Sequence, residues 1–264
     1  MLDEIVMTKE QEVANAKQRL PLEELKGRVA RYLPSRSFRK ALRREGRLSL
    51  IAELKRKSPS QGMLRERFDP VSLAQTLQDA GASALSVLTD EHYFGGHLDF
   101  LRDAKQFTEL PALRKDFVVD PYQIYEAALY EADAVLLIVG LLTEERLIEC
   151  LQAADVVGLD ALVEVHSASD LAMALRSGAA IIGINHRDLR TFEMNAQLTE
   201  QLVPKIPTGK LIIAESGIRS AADVQRMQRL GVHALLIGEA LMRAPDPAAT
   251  VRELFAGVWP ANSP

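Results

Sequence analysis

The 264-residue chain is long enough for one large single-cored domain or two small ones, and its 47% hydrophobic and 26% charged content is ordinary for a globular protein. A formal net charge of -4 argues against a general nucleic-acid binder, which carries a basic excess, yet leaves room for a local pocket that takes a small anion. The longest apolar run, Ala134–Leu142, is too short to span a bilayer, and MLDEIVMTKE at the amino terminus has no apolar signal core, so a cytoplasmic protein without a membrane partner is expected.

Residues 1–48 differ in pattern from the rest of the chain. Leu2, Ile5, Val6, Val13, Ala14 and Leu20 recur at mixed spacings among Lys, Glu and Gln, which predicts one or two amphipathic helices, the second opened by Pro21. The basic stretch from Arg36 to Arg47 reads as a solvated helix face. From residue 49 short apolar segments alternate with helical sequence. Strands are predicted at 49–55, 84–89, 111–117, 133–138, 160–165, 180–185, 211–215 and 233–237. Helix starts lie between them at Asp69-Pro70, at Asp120-Pro121 with Gln123 as a capping-box partner, at Thr143 ahead of Glu144 and Glu145, at Ser169 with Asp170, and at Ser220. Gly81, Gly178 and Gly231 read as stops. Cys150, the single cysteine, sits in an apolar helical pattern and reads as a packed thiol.

Eight strands, each followed by helical sequence, imply parallel pairing, and eight such units in about two hundred residues match a closed barrel. A doubly wound sheet would carry G-x-G-x-x-G after its first strand, and the sequence has none. No Pro/Gly linker divides the chain. The expected fold is α/β: an N-terminal helical extension over 1–48 packed on a single-domain (β/α)8 TIM barrel over 49–264.

In such a barrel the carboxyl ends of all eight strands converge on one mouth. Within LSLIAELKRKSPS, residues 48–60, alternation puts Ile51, Glu53 and Lys55 on one face, so a charged pair stands where a core face wants apolar residues. Taken alone the pair is either a rim salt bridge or part of a site. Lys115 shares a face with Leu113 and Phe117, and Glu164 with Leu162, while Asn185 and Glu215 end strands six and seven. Lysines and a glutamate at inward strand tips suit proton transfer. A lysine that gives up a proton wants a lowered pKa, from burial or a second cation, and a glutamate that takes one wants its own raised.

Ser216-Gly217 after strand seven and Gly238-Glu239 after strand eight lie where barrels bind phosphate through backbone N–H groups, with Lys55 and Ser58 alongside. The same glycines also suit tight turns. The Glu239 carboxylate is expected to turn away from such an anion. None of His92, His97, His166, His186 and His233 has metal-ligand spacing, and no nucleophile elbow occurs, so chemistry without metal or cofactor is the simplest expectation. His233 is expected at the base of strand eight, and His186 near the site or on a surface loop.

Seven segments are similar to those of the indole-3-glycerol phosphate synthase family: IAELKRKSPSQG at 51–62, ALSVLTDEHYFGG at 84–96, LRKDFVVDPYQIYEA at 113–127, ALVEVHS at 161–167, IIGINHRDLRTF at 181–192, IIAESGIRS at 212–220 and LLIGEALM at 235–242. The resemblance covers nearly the whole chain, the helical leader included. It implies a metal-free enzyme of tryptophan biosynthesis, a monomer or weak homo-oligomer, that acts on 1-(2-carboxyphenylamino)-1-deoxyribulose 5-phosphate. On its pattern Lys115 is the general acid in ring closure, Glu164 the base, and Lys55 a second acid or an anchor. Glu53, Asn185 and Glu215 position these groups and the ribulose hydroxyls. Arg187 lies near the substrate carboxylate, and Ser216, Gly217, Gly238 and Glu239 with Lys55 and Ser58 form the phosphate site. Phe94, Phe117 and Leu136 wall the anthranilate ring. His186 departs from the family, which often has Asn or a small polar residue there. The leader has no aromatic residue before Tyr32, so a lid over the site has to rely on Leu2, Ile5, Val6 or Met7. Other readings are a different phosphate-binding barrel enzyme, such as the isomerase one step earlier, and a non-catalytic sugar-phosphate-binding barrel. The combination of Lys115, Glu164 and Lys55 argues against both.

Overall fold

A computed structural model describes residues 2–30, 36–44 and 46–260; Tyr32 lies outside them. Eight parallel strands close into a barrel: β1 (Ser49–Leu54), β2 (Ala84–Leu88), β3 (Ala112–Lys115), β4 (Ala134–Ile138), β5 (Asp160–Val165), β6 (Ile181–Asn185), β7 (Leu211–Glu215) and β8 (Ala234–Ile237). Each pairs with its sequence neighbours, and β8 closes on β1 in the register Ser49 with Ala234. Both faces of the strands are covered. All six residues of β1 are buried, as a strand between a packed barrel interior and a helical shell requires.

Among the described residues three helices precede the barrel: α1 (Leu2–Arg19), α2 (Leu22–Val29) and α3 (Phe38–Leu42). Nine more cover it: α4 (Pro70–Asp79), α5 (Leu98–Gln106), α6 (Tyr122–Leu129), α7 (Glu144–Val157), α8 (Ala168–Arg176), α9 (Leu198–Leu202), α10 (Ala221–Arg229), α11 (Glu239–Arg243) and α12 (Pro247–Leu254). Their ends follow the local chemistry. Asp69 accepts from Val71 N–H with Pro70 at the first helical position, Thr143 accepts from Arg146 N–H, and Ser220 and Asp223 form a capping box. Gln123 Oε1 accepts from the backbone of Val119 and Asp120, closing the loop that starts α6. The start of α8 falls two residues earlier than the sequence suggests. Ser167 is the cap, accepting from Asp170 N–H, and Ser169 only shares a hydroxyl contact with it. Cys150 is buried on α7, and that burial pushes its thiol up to about 12.

The two ends of the barrel are closed by different parts of the leader. At the amino-terminal end, Phe38 and Leu42 of α3 are fully buried and join Ala134, Leu162 and Ile181 in the barrel interior. Arg39 N–H donates to Asp160 and Ser49 Oγ to the Leu42 carbonyl, fixing this plug to the starts of β5 and β1. The basic stretch is therefore more than a solvated face. Arg36 donates to the carbonyls of Lys105 and Leu110, and Arg47 lies 4.4 Å over the Trp259 ring. At the mouth, Leu2 and Ile5 of α1 pack in one cluster with Phe117, Leu136 and Ile138, whereas Met7 is exposed.

Candidate active site

Register explains why distant residues meet. Glu53 lies beside Ser86, Lys115 beside Leu88, Glu164 beside Ile138 and Gly183, and Asn185 beside Glu215. All face inward, one step above the apolar layer of Ile51, Leu113, Leu162 and Ile213. A cavity of about 320 Å³ opens over this layer, within the range of small-molecule sites. Every residue singled out in the sequence lines it: Glu53, Lys55, Ser58, Phe94, Lys115, Phe117, Leu136, Glu164, Asn185, Arg187, Glu215, Ser216, Gly217, Gly238 and Glu239.

Lys115 stands at the centre. Its Nζ donates to Glu164 Oε2 at 2.8 Å and to Glu215 Oε2 at 2.9 Å. Burial alone would lower its pKa, but Glu164, Glu215 and Glu53 outweigh burial and hold it above the usual lysine range. The lowered pKa expected of a proton donor is absent here because two carboxylates, rather than a second cation, face the ammonium. Those carboxylates diverge. Burial favours the neutral form of both, yet Lys115 and then His166 hold Glu164 well below the ordinary range. Glu215 goes the other way, to about 8, through burial and the Glu164 charge against the opposing pull of Lys115. Two carboxylates on one ammonium thus share a proton, and Glu215 keeps it. Glu53 and Lys55 form a separate pair at 2.7 Å.

One wall is apolar. The Phe94 and Phe117 rings lie 5.9 Å apart at 42°, with Leu136 and Ile138 beneath. Asp90 sets this wall by accepting from Tyr93 and Phe94 N–H. The opposite wall is the loop pair after β7 and β8. Ser216 and Gly217 both have positive φ, 67° and 75°. The Ser216 carbonyl is 3.0 Å from His186 Nδ1, and His186 Nε2 is 2.7 Å from Thr199 Oγ1. A carbonyl can only accept, so Nδ1 carries the proton. Burial lowers the His186 pKa, which keeps the ring neutral with Thr199 donating to Nε2. His186 is thus a buried strut behind the loop and no surface residue. His233 precedes β8 and accepts from Ile212 N–H at the far end. Ser58 lies in a short hairpin (57–58 with 62–63) and accepts from Gln61 N–H. Glu239 is bracketed by Arg187 at 3.5 Å and Arg243 at 3.7 Å, its carboxylate drawn to cations.

A model of the family described as indole-3-glycerol phosphate synthase matches residues 2–254. The chain belongs to the indole-3-glycerol phosphate synthase family. A relative of that name from Dehalococcoides mccartyi (strain CBDB1) is 47% identical over 259 residues, spanning 97% of this chain and all of the relative. One from Carboxydothermus hydrogenoformans is 45% identical over 263 residues, 97% of this chain and 99% of its own. Membership makes the chain a carboxy-lyase of tryptophan biosynthesis and sets the isomerase and the non-catalytic barrel aside. A solved 3-hexulose-6-phosphate synthase from Salmonella typhimurium superposes with a TM-score of 0.63 at 15% identity, covering 78% of this chain and 96% of that one. At that identity the likeness concerns the barrel alone.

Sequence reasoning passed over several groups in or behind the cavity. Gln61, Leu189, Phe192 and Arg219 line it from loops that carry no periodic signal, and Arg243 from the last turn of α11. Lys9 and His166 stand behind it. His166 was legible as the residue after the strand that ends in Glu164-Val165, two positions on and therefore on the same face.

Proposed function

We propose that this cavity closes the pyrrole ring of 1-(2-carboxyphenylamino)-1-deoxyribulose 5-phosphate, expelling carbon dioxide and water to give indole-3-glycerol phosphate. The observation that carries the reading is Lys115 held at 2.8 and 2.9 Å between Glu164 and Glu215, beside an aromatic wall. Attack by the ring carbon on the ketone builds charge on the carbonyl oxygen, which is then far more basic than an amine, so Lys115 protonates it despite its own raised pKa. Loss of carbon dioxide from the attacked ring carbon restores its aromaticity, and Glu164, ionised and one contact away, takes the methylene proton that leaves with the new hydroxyl as water. Lys55 serves as second acid or anchor, and Glu53, Asn185 and Glu215 hold these groups and the ribulose hydroxyls. Phe94, Phe117 and Leu136 press the anthranilate ring against the ketone, converting binding into alignment.

The phosphate is read at Ser216, Gly217, Gly238 and Glu239, through backbone N–H groups, with Lys55 and Ser58 supplying charge and a hydroxyl. Held away from the reacting atoms, it anchors the substrate. Arg187 takes the substrate carboxylate, exchanging its long contact with Glu239 for a closer one. The same reading puts the enzyme in the cytoplasm as a monomer or weak homo-oligomer, with no nucleic-acid or membrane partner and neither metal nor cofactor in the reaction. Among the described residues no helix is long and apolar enough to cross a membrane.

Purified protein is expected to form an indole chromophore from this substrate, in EDTA as well as with metal supplied, and absence of product under both conditions sinks the reading. Lys115→Met should lose roughly 10²–10⁴-fold in kcat and still bind product; near-normal turnover would remove Lys115 from its role.

A further inference from the structure

The two oxygens of Glu164 have different surroundings. Oε2 accepts from Lys115. Oε1 lies 3.2 Å from His166 Nε2, and neither of these buried atoms has a hydrogen-bond partner elsewhere. The two atoms are in contact without forming a hydrogen bond of good geometry. The imidazole is held from behind. Its backbone N–H donates to Asp170, and Ser167 caps the same turn of α8. The groups that act on it are Glu164 two residues back, Glu215 from β7, Asp170 from α8 and Asp188 from the loop after β6, with the Lys115 ammonium on the other oxygen of Glu164.

Charge gives the arrangement its meaning. Glu164 and Glu215 are both fully enclosed and share the one ammonium of Lys115, while Lys55 is taken by Glu53. An uncompensated charge in such an interior is costly. With Glu215 protonated, the buried charge is that of Glu164, and His166 is the group placed on its second oxygen. We propose that His166 is a positioning residue for Glu164: as an imidazolium it clamps Oε1, leaving Oε2 turned to Lys115 and the substrate. This rests on Glu164 being the base of the ring-closing reaction.

Burial alone would lower the proton affinity of the ring, but Glu164, Glu215 and Asp170 raise it above the ordinary imidazole value. The clamp is therefore charged below that raised pKa and loses its charge as the pH climbs through it. Above it the cluster is more negative, Lys115 holds its proton harder, and kcat falls on the alkaline side. The phosphate grip lies elsewhere, so KM is spared.

His166→Gln keeps a donor without a charge, and His166→Phe keeps a ring without either. The Gln variant should lose about 10-fold in kcat, part of what a positioned base supplies, with KM within about two-fold and the alkaline limb abolished; the Phe variant should lose more. A Gln variant with full kcat and an unmoved limb overturns the proposal, as does an equal loss in both variants with the limb unmoved. A readout independent of turnover is a carbon-13 histidine titration of the intact protein without substrate. The His166 signal should titrate above the usual imidazole range and drop in Glu164→Gln. An unchanged titration overturns the clamp. A failed indole assay with this coupling intact counts against the ring-closure reading instead.

Discussion

Charged side chains at a barrel mouth need space as well as partners, and two glycines supply it. A methyl group at Gly183 would overlap the Glu215 carboxylate, and one at Gly238 would overlap that of Glu53. Gly238→Ala is thus expected to push Glu53 off Lys55 and to lower kcat by about 10² or more, as small displacements of a catalytic group do, with the circular dichroism spectrum unchanged; an Ala variant with normal kcat would show that Glu53 moves without consequence. Period-two alternation picks out Glu53, Lys55, Lys115, Glu164 and Glu215, because each is a polar side chain on an otherwise apolar face. It cannot show that Gly238 makes room for a residue 185 positions earlier, nor that His186 braces Ser216 and binds Thr199. Both relations depend on which strands and loops become neighbours. The strut makes its own prediction. His186→Leu fills the space but cannot hold the Ser216 carbonyl, so KM should rise about 5-fold with kcat nearly kept, since one hydrogen bond to a strained loop contributes on the order of 1 kcal/mol; an unchanged KM would separate the strut from substrate binding.

At the scale of elements, α1 is tied to the barrel by a buried lysine. Lys9 Nζ is 2.8 Å from Asp90, 3.1 Å from Asp116 and 2.8 Å from Glu12, and is 2% exposed. In the leader sequence a lysine among Thr8, Glu10 and Gln11 reads as surface charge, and only the closed barrel brings it to the ends of β2 and β3. Asp90 holds the Phe94 loop, and Asp116 accepts from Thr89 and from Phe117 N–H, so one ammonium supports both rings of the aromatic wall. Lys9→Met leaves two buried carboxylates facing each other and should cost about 3–5 kcal/mol in denaturant unfolding. Asp116 adds a pH dependence. Burial would raise its pKa, but Arg114 and Lys9 bring it down to about 2 from 3.8. A depressed carboxylate contributes stability that is complete above about pH 4 and lost as the pH falls toward 2, on the order of 2 kcal/mol here. Wild type should therefore lose more stability than Lys9→Met across that interval, and parallel losses would mean that Asp116 is not the group being titrated.

Across the whole molecule, the alternation of apolar strand and capped helix was enough to read eight parallel strands and their closure, since both faces of each strand are buried and each helix carries its own start signal. What the pattern could not convey is how the leader divides its work. Its first helix packs Leu2 and Ile5 at the catalytic mouth, and its third drives Phe38 and Leu42 into the opposite end, fixed to Asp160 and Ser49. The strands run between these ends, so stability and chemistry are physically separated, the inward layer of Ile51, Leu113 and Leu162 lying between them. Phe38→Ala opens a cavity at the floor that neighbouring strands cannot collapse into. It should cost about 3–5 kcal/mol and lower the Tm by roughly 10 °C, while kcat and KM at moderate temperature stay within about two-fold because no cavity-lining residue moves. Calorimetry and steady-state kinetics on the same preparation check both halves. A Phe38→Ala protein that keeps its Tm, or that loses turnover in proportion to its stability, would mean that the floor and the mouth of the barrel are not mechanically independent.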